Sequence, residues 1–284
     1  MIIDSHQHFW RYDPARDAWI TDSMALLKRD FLPEDFEHEC KANDIGSSIA
    51  VQVDQSENET FFLLDLAKRS ERIAGVVGWV DLCSPGVEER LHLFSHHKKL
   101  RGFRHIAQGE PDERFLVGRD FTRGISLLGE FGFTYDILIY PKQLPAAIEL
   151  VSRFPEQMFV VDHLAKPQIK EGGREPWASQ IRTIAQNKNV YCKVSGLVTE
   201  ADWLHWKPDD MRPYLDVVFE AFEPERLMFG SDWPVCLLAA SYRKVKELIW
   251  SYVEVHAPQQ KESIFGGNAI RFYGLKAASN GPAA

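Results

Sequence analysis

Eight short apolar runs alternate with helical patterns along this chain of 284 residues, and no other feature limits its fold as strongly. The first run opens the chain, and the others cover 47–53, 73–82, 100–106, 135–140, 159–164, 190–195 and 227–231. Helices are predicted over 33–43, 58–69, 86–97, 121–131, 144–154, 177–186, 210–222, 241–253 and 262–273. Continuously apolar strands are buried on both faces, as in a parallel sheet. We therefore predict an α/β fold, a closed (β/α)8 TIM barrel in a single domain over 1–275, with a flexible tail at 276–284.

Charge and cysteine content exclude several classes of protein. The formal net charge is −8 and the 33 lysines and arginines are scattered, which argues against nucleic acid and anionic membranes as partners. No apolar run approaches the roughly 18 residues that span a bilayer, and the N-terminus lacks the basic segment of a secretory signal. The four cysteines form no CxxC pair, so neither a disulfide framework nor a thiolate zinc site is indicated. A reduced, cytoplasmic protein is expected, with its oligomeric state left open.

The sequence Asp4-Ser5-His6-Gln7-His8 places two histidines two residues apart in the first strand. Side chains alternate between the faces of a strand, so His6 and His8 point the same way and Gln7 points the other way. Two such imidazoles can jointly hold a metal ion or a polarised carbonyl oxygen. The competing interpretation is a polar turn with two solvated histidines.

Polar and ionisable side chains recur at the ends of the predicted strands. They are His6, His8, Gln52, Asp81, Arg104, His105, Asp136, His163, Lys193, Ser195 and Asp232. In a TIM barrel these carboxyl ends meet at one face, where the active sites of such enzymes lie. Burying so many ionisable groups without a task would cost several kcal/mol each. We therefore predict an enzyme.

Six motifs carry a resemblance that spans nearly the whole chain. They are DSHQHFW at 4–10, RGFRH at 101–105, VVDHLAKP at 160–167, KVSGL at 193–197, GSDWPV at 230–235 and NAIRFYGL at 268–275. The chain resembles the amidohydrolase superfamily, and within it the amidohydrolase 2 branch of lactone hydrolases, which includes sugar-acid lactonases and 2-pyrone-4,6-dicarboxylate hydrolase. HxH alone is a weak signal, but HxH followed by DH and SDWP in this order of strands is specific. The resemblance implies a hydrolase that opens a small lactone, of the L-fucono- or L-rhamnono-lactone type, to the hydroxy acid.

The resemblance implies a catalytic aspartate on the last strand, and this position falls on Asp232. Such a carboxylate can take a proton from water and later pass it to the departing hydroxyl group. His6, His8 and His163 can then face the carbonyl oxygen, directly or through a cation, and stabilise the developing oxyanion. The competing role for Asp232 is a cap for the turn that follows it.

The metal pattern departs from that of the two-metal amidohydrolases, which carry a carboxylated lysine or a glutamate and histidines on two adjacent later strands. Here His163 is the one such histidine, because the strand before it ends with Asp136 and the strand after it with Lys193 and Ser195. One aspartate and three histidines remain as candidate ligands: His6, His8, His163 and Asp232. This set suits one zinc ion in tetrahedral geometry. A single divalent cation is therefore a candidate cofactor, and the resemblance leaves open whether catalysis requires it.

Five further residues are predicted to contact the substrate: Arg104, His105, Gln52, Lys193 and Trp233. The resemblance favours Arg104, whose planar fork suits a carboxylate or sugar oxygens. His105 has the opposite parity to Arg104, so it joins the site only if the strand ends there, and otherwise it packs against a helix. Core packing is the competing interpretation for Gln52 and Trp233.

Two other functions remain open from the sequence. The first is a zinc-dependent decarboxylase on the same barrel, against which the missing histidine counts. The second is a non-catalytic sugar-binding protein, which would not need a base opposite three histidines.

Overall fold

The computed structural model describes residues 1–276 and contains eight parallel strands, each paired with the next along the chain. The strands are β1 (Ile2–Gln7), β2 (Ile45–Val51), β3 (Ile73–Gly78), β4 (Leu100–His105), β5 (Thr134–Ile137), β6 (Phe159–Val161), β7 (Val190–Val194) and β8 (Leu227–Phe229). The helices are α1 (Pro33–Asn43), α2 (Glu57–Arg69), α3 (Val87–Ser95), α4 (Arg119–Leu128), α5 (Leu144–Arg153), α6 (Trp177–Ile184), α7 (Pro208–Phe222), α8 (Tyr242–His256) and α9 (Asn268–Tyr273). The predicted TIM barrel is confirmed. The tail predicted at 276–284 lies, after Lys276, outside the described residues, and the domain limits stay a prediction.

The barrel closes where β1 meets the segment that follows β8. The backbone N–H of His8 donates to the Trp233 carbonyl (2.7 Å), and that of Asp232 donates to the His6 carbonyl (2.9 Å). The Ser5 hydroxyl donates to the last carbonyl group of β8 (2.7 Å). The seam of the barrel therefore runs through the residues that carry the predicted chemistry.

Strand β1 contains one extra residue between Asp4 and Gln7, after an opposite shift in which β2 contains one between Ile45 and Ser47. The step from Asp4 to Gln7 faces a two-residue step in β2, which is the pattern of a β-bulge. Before the bulge, Ile3 packs inside the barrel, whereas Asp4 accepts a hydrogen bond from a tyrosine of α8 (2.9 Å). After the bulge, His6 points inward, toward side chains of β4 and β7, and His8 lies beside it. The bulge lets an apolar and a polar inward position occur on the same short strand.

The barrel interior has a small apolar core of its own. It comprises Ile3, Ile49, Val51, Val77, Val160 and Met228. Helix α9 and the residues after it pack against this core from the N-terminal end: Ala269, Phe272, Tyr273 and Leu275. A second, larger core lies between the strands and the outer helices. The C-terminal end of the barrel is thus the one left for a site.

The predicted strands run between one and four residues past the observed ones. Gln52, His163, Ser195 and Asp232 therefore lie in turns that follow β2, β6, β7 and β8. The turns bring His163, Ser195 and Asp232 to the barrel mouth, whereas the backbone N–H of Gln52 still donates to the Val77 carbonyl (2.9 Å). In residues 1–276, no helix combines the length and apolar character needed to cross a membrane.

Candidate active site

Four side chains that the sequence singled out meet at the C-terminal end of the barrel: His6, His8, His163 and Asp232. Asp232 Oδ1 lies 3.3 Å from the Nε2 atom of His8, 3.7 Å from that of His163 and 3.9 Å from that of His6. The two Nε2 atoms of the HxH pair lie 3.2 Å apart. Each of the four residues is at most 4% exposed. Three nitrogen atoms and one oxygen atom thus form one compact group, which we call the catalytic cluster.

A hydrogen bond of His8 fixes which of its ring nitrogens carries a proton. Its Nδ1 lies 2.7 Å from the carbonyl oxygen of Val51, which only accepts, so Nδ1 must donate. In the neutral ring, Nε2 then presents a lone pair to the Asp232 carboxylate 3.3 Å away, and two acceptors repel each other. A positive charge between them, either a proton or a metal ion, removes this repulsion.

The catalytic cluster has the dimensions of a metal site. Ligands 2.0–2.1 Å from a tetrahedral zinc ion lie about 3.3 Å from each other. The separations of His8 Nε2 from Asp232 Oδ1 (3.3 Å) and from His6 Nε2 (3.2 Å) match this value. Ligand atoms of His6, His8 and Asp232 all lie within 4.8 Å of one another. The residues therefore fit a single divalent cation.

An uncommon turn presents His163 after β6. His163, Leu164, Ala165 and Lys166 have φ between 51° and 57°, the left-handed region, which costs roughly 1–2 kcal/mol for each non-glycine residue. Ser195, which follows β7, fixes the ring because its Oγ lies 2.8 Å from His163 Nδ1. Strain of this kind persists where the surrounding structure enforces it, and it is frequent at functional sites.

Two glycines make room for the histidine rings. A Cβ atom on Gly196 would lie 2.6 Å from Nδ1 of His163, and one on Gly230 would lie 2.8 Å from Cβ of His6. Gly196 also has φ of +66°, which other residues rarely adopt. The glycines of the KVSGL and GSDWPV motifs are therefore required by the space around the cluster.

Asp232 directs its carboxylate at the histidines. The short helical turn after it, at 235–238, has no side-chain cap among the described residues, so the capping role is not observed. Burial alone would raise the pKa of this carboxyl, but the neighbouring histidines, His163 first, hold it below its usual range. Asp232 is therefore ionised at neutral pH and able to accept a proton.

Burial keeps two of the histidines neutral. It lowers the pKa of His163 to about 4. Together with the charge of Lys193, burial also lowers the pKa of His6 well below its usual value. Neutral rings retain a lone pair for a ligand and a proton for a hydrogen bond.

Lys193 lies beneath His6, with no exposed surface. Its Nζ lies 2.5 Å from Asp136 Oδ2, 3.0 Å from Asp162 Oδ1 and 3.1 Å from His6 Nδ1. The sequence predicted that Lys193 contacts the substrate. Its parity does point it inward, but its ammonium group is bound by two carboxylates inside the barrel. The structure thus gives Lys193 a position that supports His6 and keeps it away from the open side of the cluster.

Asp162 is the main site residue that the sequence analysis missed. It is fully buried, accepts a hydrogen bond from Arg104 Nη1 (3.0 Å) and lies 3.3 Å from His6 Nδ1. Burial would raise the pKa of this carboxyl, but Lys193 and then His6 hold it well below its usual value. The available signal was the DH pair at the end of a predicted strand, in which only the histidine was singled out.

Arg104 points into the barrel, and its Nη1 lies 3.3 Å from His6 Nε2. Its Nη2 donates to the backbone carbonyl of Gln52, whose side-chain Nε2 donates to the Arg104 carbonyl (3.0 Å). Gln52 is fully buried, and Arg104 is 3% exposed. Gln52 therefore anchors Arg104, and of the two only Arg104 reaches the cluster.

His105 and Trp233 lie away from the cluster. His105 points outward as its parity requires, with Nε2 2.7 Å from a carboxylate oxygen of Glu110 and its ring stacked on Phe115. Trp233 is 2% exposed and packs against Phe36 at 5.1 Å between ring centroids. The left-handed backbone of Asp232 (φ 59°), which precedes it, accompanies this outward turn of the indole. The structure does not place either residue where a substrate contact was predicted.

The amidohydrolase family model matches residues 3–275. This protein belongs to the amidohydrolase family. The resemblance found in the sequence is thereby confirmed, and it covers the whole barrel.

Two relatives and one solved structure are similar over nearly their whole length. An L-fucono-1,5-lactonase from Burkholderia multivorans is 44% identical over 96% of each chain, and one from Burkholderia ambifaria is 34% identical over 95% of this chain and 94% of its own. A crystal structure of an amidohydrolase from Burkholderia multivorans with bound zinc superposes with a TM-score of 0.93 at 43% identity, covering 97% of this chain and all of that one. The family and this neighbour support a divalent cation in the site, consistent with the fit of the cluster.

Proposed function

We propose that the protein hydrolyses a sugar-acid lactone, specifically a polyhydroxy 1,5-lactone, to the hydroxy acid. The similarity to two proteins named L-fucono-1,5-lactonase confirms the prediction of a lactone hydrolase. The observation that carries the mechanism is the convergence of an ionised carboxylate, Asp232, and three histidines at the barrel mouth. Ester hydrolysis requires a base for water and a polar environment for the oxyanion, and this group supplies both.

Asp232 takes a proton from water while the water oxygen forms a bond to the lactone carbonyl carbon. The carbonyl electron pair moves to oxygen, and His163 stabilises the oxyanion through Nε2–H when Ser195 donates to Nδ1. As the tetrahedral intermediate collapses, the ring C–O bond breaks, and Asp232 returns its proton to the departing alkoxide oxygen. The acid formed at the carbonyl carbon then ionises, which leaves the open hydroxy acid.

The candidate ligands of a divalent cation are His6, His8, His163 and Asp232. We propose zinc held by His6, His8 and Asp232, whose ligand atoms all lie within 4.8 Å of one another, because three protein ligands are the usual number at a catalytic zinc. His163 would then keep its Nε2–H for the oxyanion. When bound, this ion would polarise the carbonyl oxygen or lower the pKa of a bound water. A cation would also relieve the repulsion between the Nε2 lone pair of His8 and the Asp232 carboxylate.

The test is a pH-indicator assay of the purified protein against a panel of sugar-acid lactones, with and without chelator. Acid release is the expected result, and release that survives chelation would show that the cation is dispensable. Release that is lost on chelation and restored by zinc would make the cation catalytic. Silence across the panel, with tightly bound zinc by elemental analysis, would refute the lactonase and favour the decarboxylase.

The matched variant is Asp232→Asn, which keeps the shape of the side chain and removes the base. Loss of general-base catalysis lowers kcat by about 10²–10⁴-fold, with far-UV circular dichroism unchanged. Asp65→Asn is the control, because the side chain of Asp65 on α2 is 50% exposed and forms a surface ion pair with Arg69. Hydrolysis near the wild-type rate in Asp232→Asn would exclude this mechanism.

A further inference from the structure

A cavity of about 920 Å³ lies over the loops that follow β5, β6 and β7. Its lining includes Tyr140, Lys166, Glu200 and Trp203. Lys166 ends the left-handed turn that begins at His163, and its backbone N–H donates to the His163 carbonyl (2.7 Å). The strained turn therefore presents one side chain to the catalytic cluster and another to the cavity.

A largely buried ion pair lines this cavity beside the turn that carries His163. Lys166 Nζ lies 3.4 Å from Glu200 Oε1, with the two side chains 18% and 22% exposed. Lys166 Nζ also lies 5.4 Å from the centroid of the Tyr140 ring, a cation–π distance. Burial raises the pKa of Glu200, Lys166 offsets part of this rise, and the charge of Asp232 adds to it. Lys166 follows His163 by three residues, and Glu200 follows Ser195 by five residues. Because Ser195 Oγ lies 2.8 Å from His163 Nδ1, both members of the pair lie on loops that begin at the catalytic cluster.

The walls of the cavity have the chemistry of a site for a hydroxylated ring. A carboxylate offers about four lone-pair positions, of which the Lys166 contact uses one. Aromatic side chains at Tyr140 and Trp203 give apolar faces for the C–H side of such a ring. A carboxylate that is already partly desolvated accepts hydroxyl hydrogen bonds well.

We propose that Glu200, held by Lys166, is the specificity-determining residue of the enzyme, accepting hydrogen bonds from the hydroxyl groups of the lactone. This inference rests on the proposed lactonase function and deepens it. The pair recognises the hydroxylated ring of the substrate. It binds the part of the substrate that does not react.

The experiment compares two substrates that differ only in hydroxylation: a polyhydroxy 1,5-lactone and δ-valerolactone, the same ring without hydroxyl groups. In Glu200→Gln, we expect KM for the hydroxylated lactone to rise at least about tenfold, the scale of a lost hydrogen bond to a charged group. Its kcat stays within about twofold, and the parameters for δ-valerolactone do not change. δ-Valerolactone is measured both as a substrate and as a competitive inhibitor. A KM is obtained if it is hydrolysed, and an inhibition constant is obtained if it is not.

Two further variants separate recognition from folding. Lys166→Met removes the partner of Glu200 and is expected to raise KM for the hydroxylated lactone in the same way. The double variant should lose no more than Glu200→Gln alone, because the two residues act as one unit. Glu156→Gln is the control for charge, because Glu156 is exposed on the turn before β6, at the opposite end of the barrel. Thermal unfolding is followed for each variant.

The outcomes distinguish this inference from the proposed function. Hydrolysis of no lactone by the wild-type protein refutes the proposed function. A wild-type enzyme that is active, with variants whose losses are equal for both substrates, shows a structural role for the pair and overturns the inference. Unchanged KM for the hydroxylated lactone in Glu200→Gln overturns it as well.

Discussion

Replacing Lys193 with methionine tests whether this residue binds substrate, as its sequence position indicated, or supports the cluster from below. Methionine keeps the length of the side chain and removes the charge. A substrate contact predicts a higher KM with unchanged stability. A supporting role predicts lower stability and a lower kcat, because His6 loses the contact at Nδ1 (3.1 Å).

The expected loss of stability follows from the charges left behind. Lys193 compensates Asp136 and Asp162, and Arg104 still pairs with Asp162 after the substitution. Within residues 1–276, Asp136 would keep a hydrogen bond from the Tyr273 hydroxyl (2.9 Å) and no charged partner. Leaving one buried charge without its partner costs about 3–5 kcal/mol, so we expect a loss of this size at pH 8.

The loss depends on pH in a defined direction. Burial raises the pKa of Asp136 to about 6 in the wild-type protein, and loss of Lys193 raises it further. The folded pKa thus lies above the unfolded value of about 3.9, so stability is retained below about pH 4 and is lost as the pH rises through the folded pKa. The deficit of Lys193→Met should therefore be smaller at pH 5 than at pH 8.

Urea denaturation of wild type, Lys193→Met and Lys188→Met at pH 5 and pH 8 measures this difference. Lys188 is the control, because its side chain is 76% exposed and pairs loosely with Glu223, and such surface changes stay within about 0.5 kcal/mol. A deficit below about 1 kcal/mol at both pH values, together with a raised KM, would refute the supporting role and restore the substrate contact.

Three further predictions concern other parts of the molecule. Burial raises the pKa of Glu59 to about 7, against 4.5 for the ordinary group, so the wild-type protein loses stability as the pH rises through 7. Glutamine carries no charge to bury. In urea denaturation, the free energy of unfolding of Glu59→Gln relative to wild type should therefore increase by up to about 3 kcal/mol between pH 4.5 and pH 8. Gly230→Ala places a Cβ atom 2.8 Å from the Cβ atom of His6, which should lower the free energy of unfolding by about 1–3 kcal/mol and lower kcat. The control is Gly129→Ala, whose Cβ atom would have no neighbour nearer than 3.5 Å. This variant should keep wild-type stability and kcat. Added zinc at 100 times its Kd should stabilise the wild-type protein by about 2.7 kcal/mol in thermal unfolding and should not stabilise His8→Ala. The control is His92→Ala, which removes one histidine of the exposed His92–His96 pair on and beside α3. Equal shifts in all three proteins would contradict a cation in the cluster.

The barrel was predictable because its determinants are local and repeated. Eight apolar strands with intervening helices are compatible with few topologies, and the right-handed crossover between parallel strands reduces that number further. The cluster was partly predictable for the same reason: strand ends share one face, so His6, His163 and Asp232 could be grouped from their positions alone. Alternation within β1 correctly placed His6 and His8 side by side.

The missed features depend on contacts between distant segments, which no local pattern records. Alternation pointed Lys193 inward, but it did not show that Asp136 and Asp162 would bind its ammonium group. The burial of Trp233 depends on aromatic partners from the loop after β1 and from α1. The turn at His163 places four non-glycine residues in the left-handed region, which such residues disfavour, so backbone propensity would not predict it.

The bulge in β1 explains how the fold and the chemistry share one short strand. Without the extra residue, Ile3 inside the barrel would force His6 to the outer face, because the two positions differ in parity. Asp4 precedes the bulge and points outward by alternation with Ile3, and there its carboxylate accepts hydrogen bonds from the backbone N–H of Ser231 and the hydroxyl of Tyr242 (2.9 Å each). These bonds hold the segment after β8 against β1, and that segment carries Asp232. The seam that closes the barrel therefore sets the distance between the base and the HxH pair, so substitutions at the seam should change catalysis before they unfold the protein.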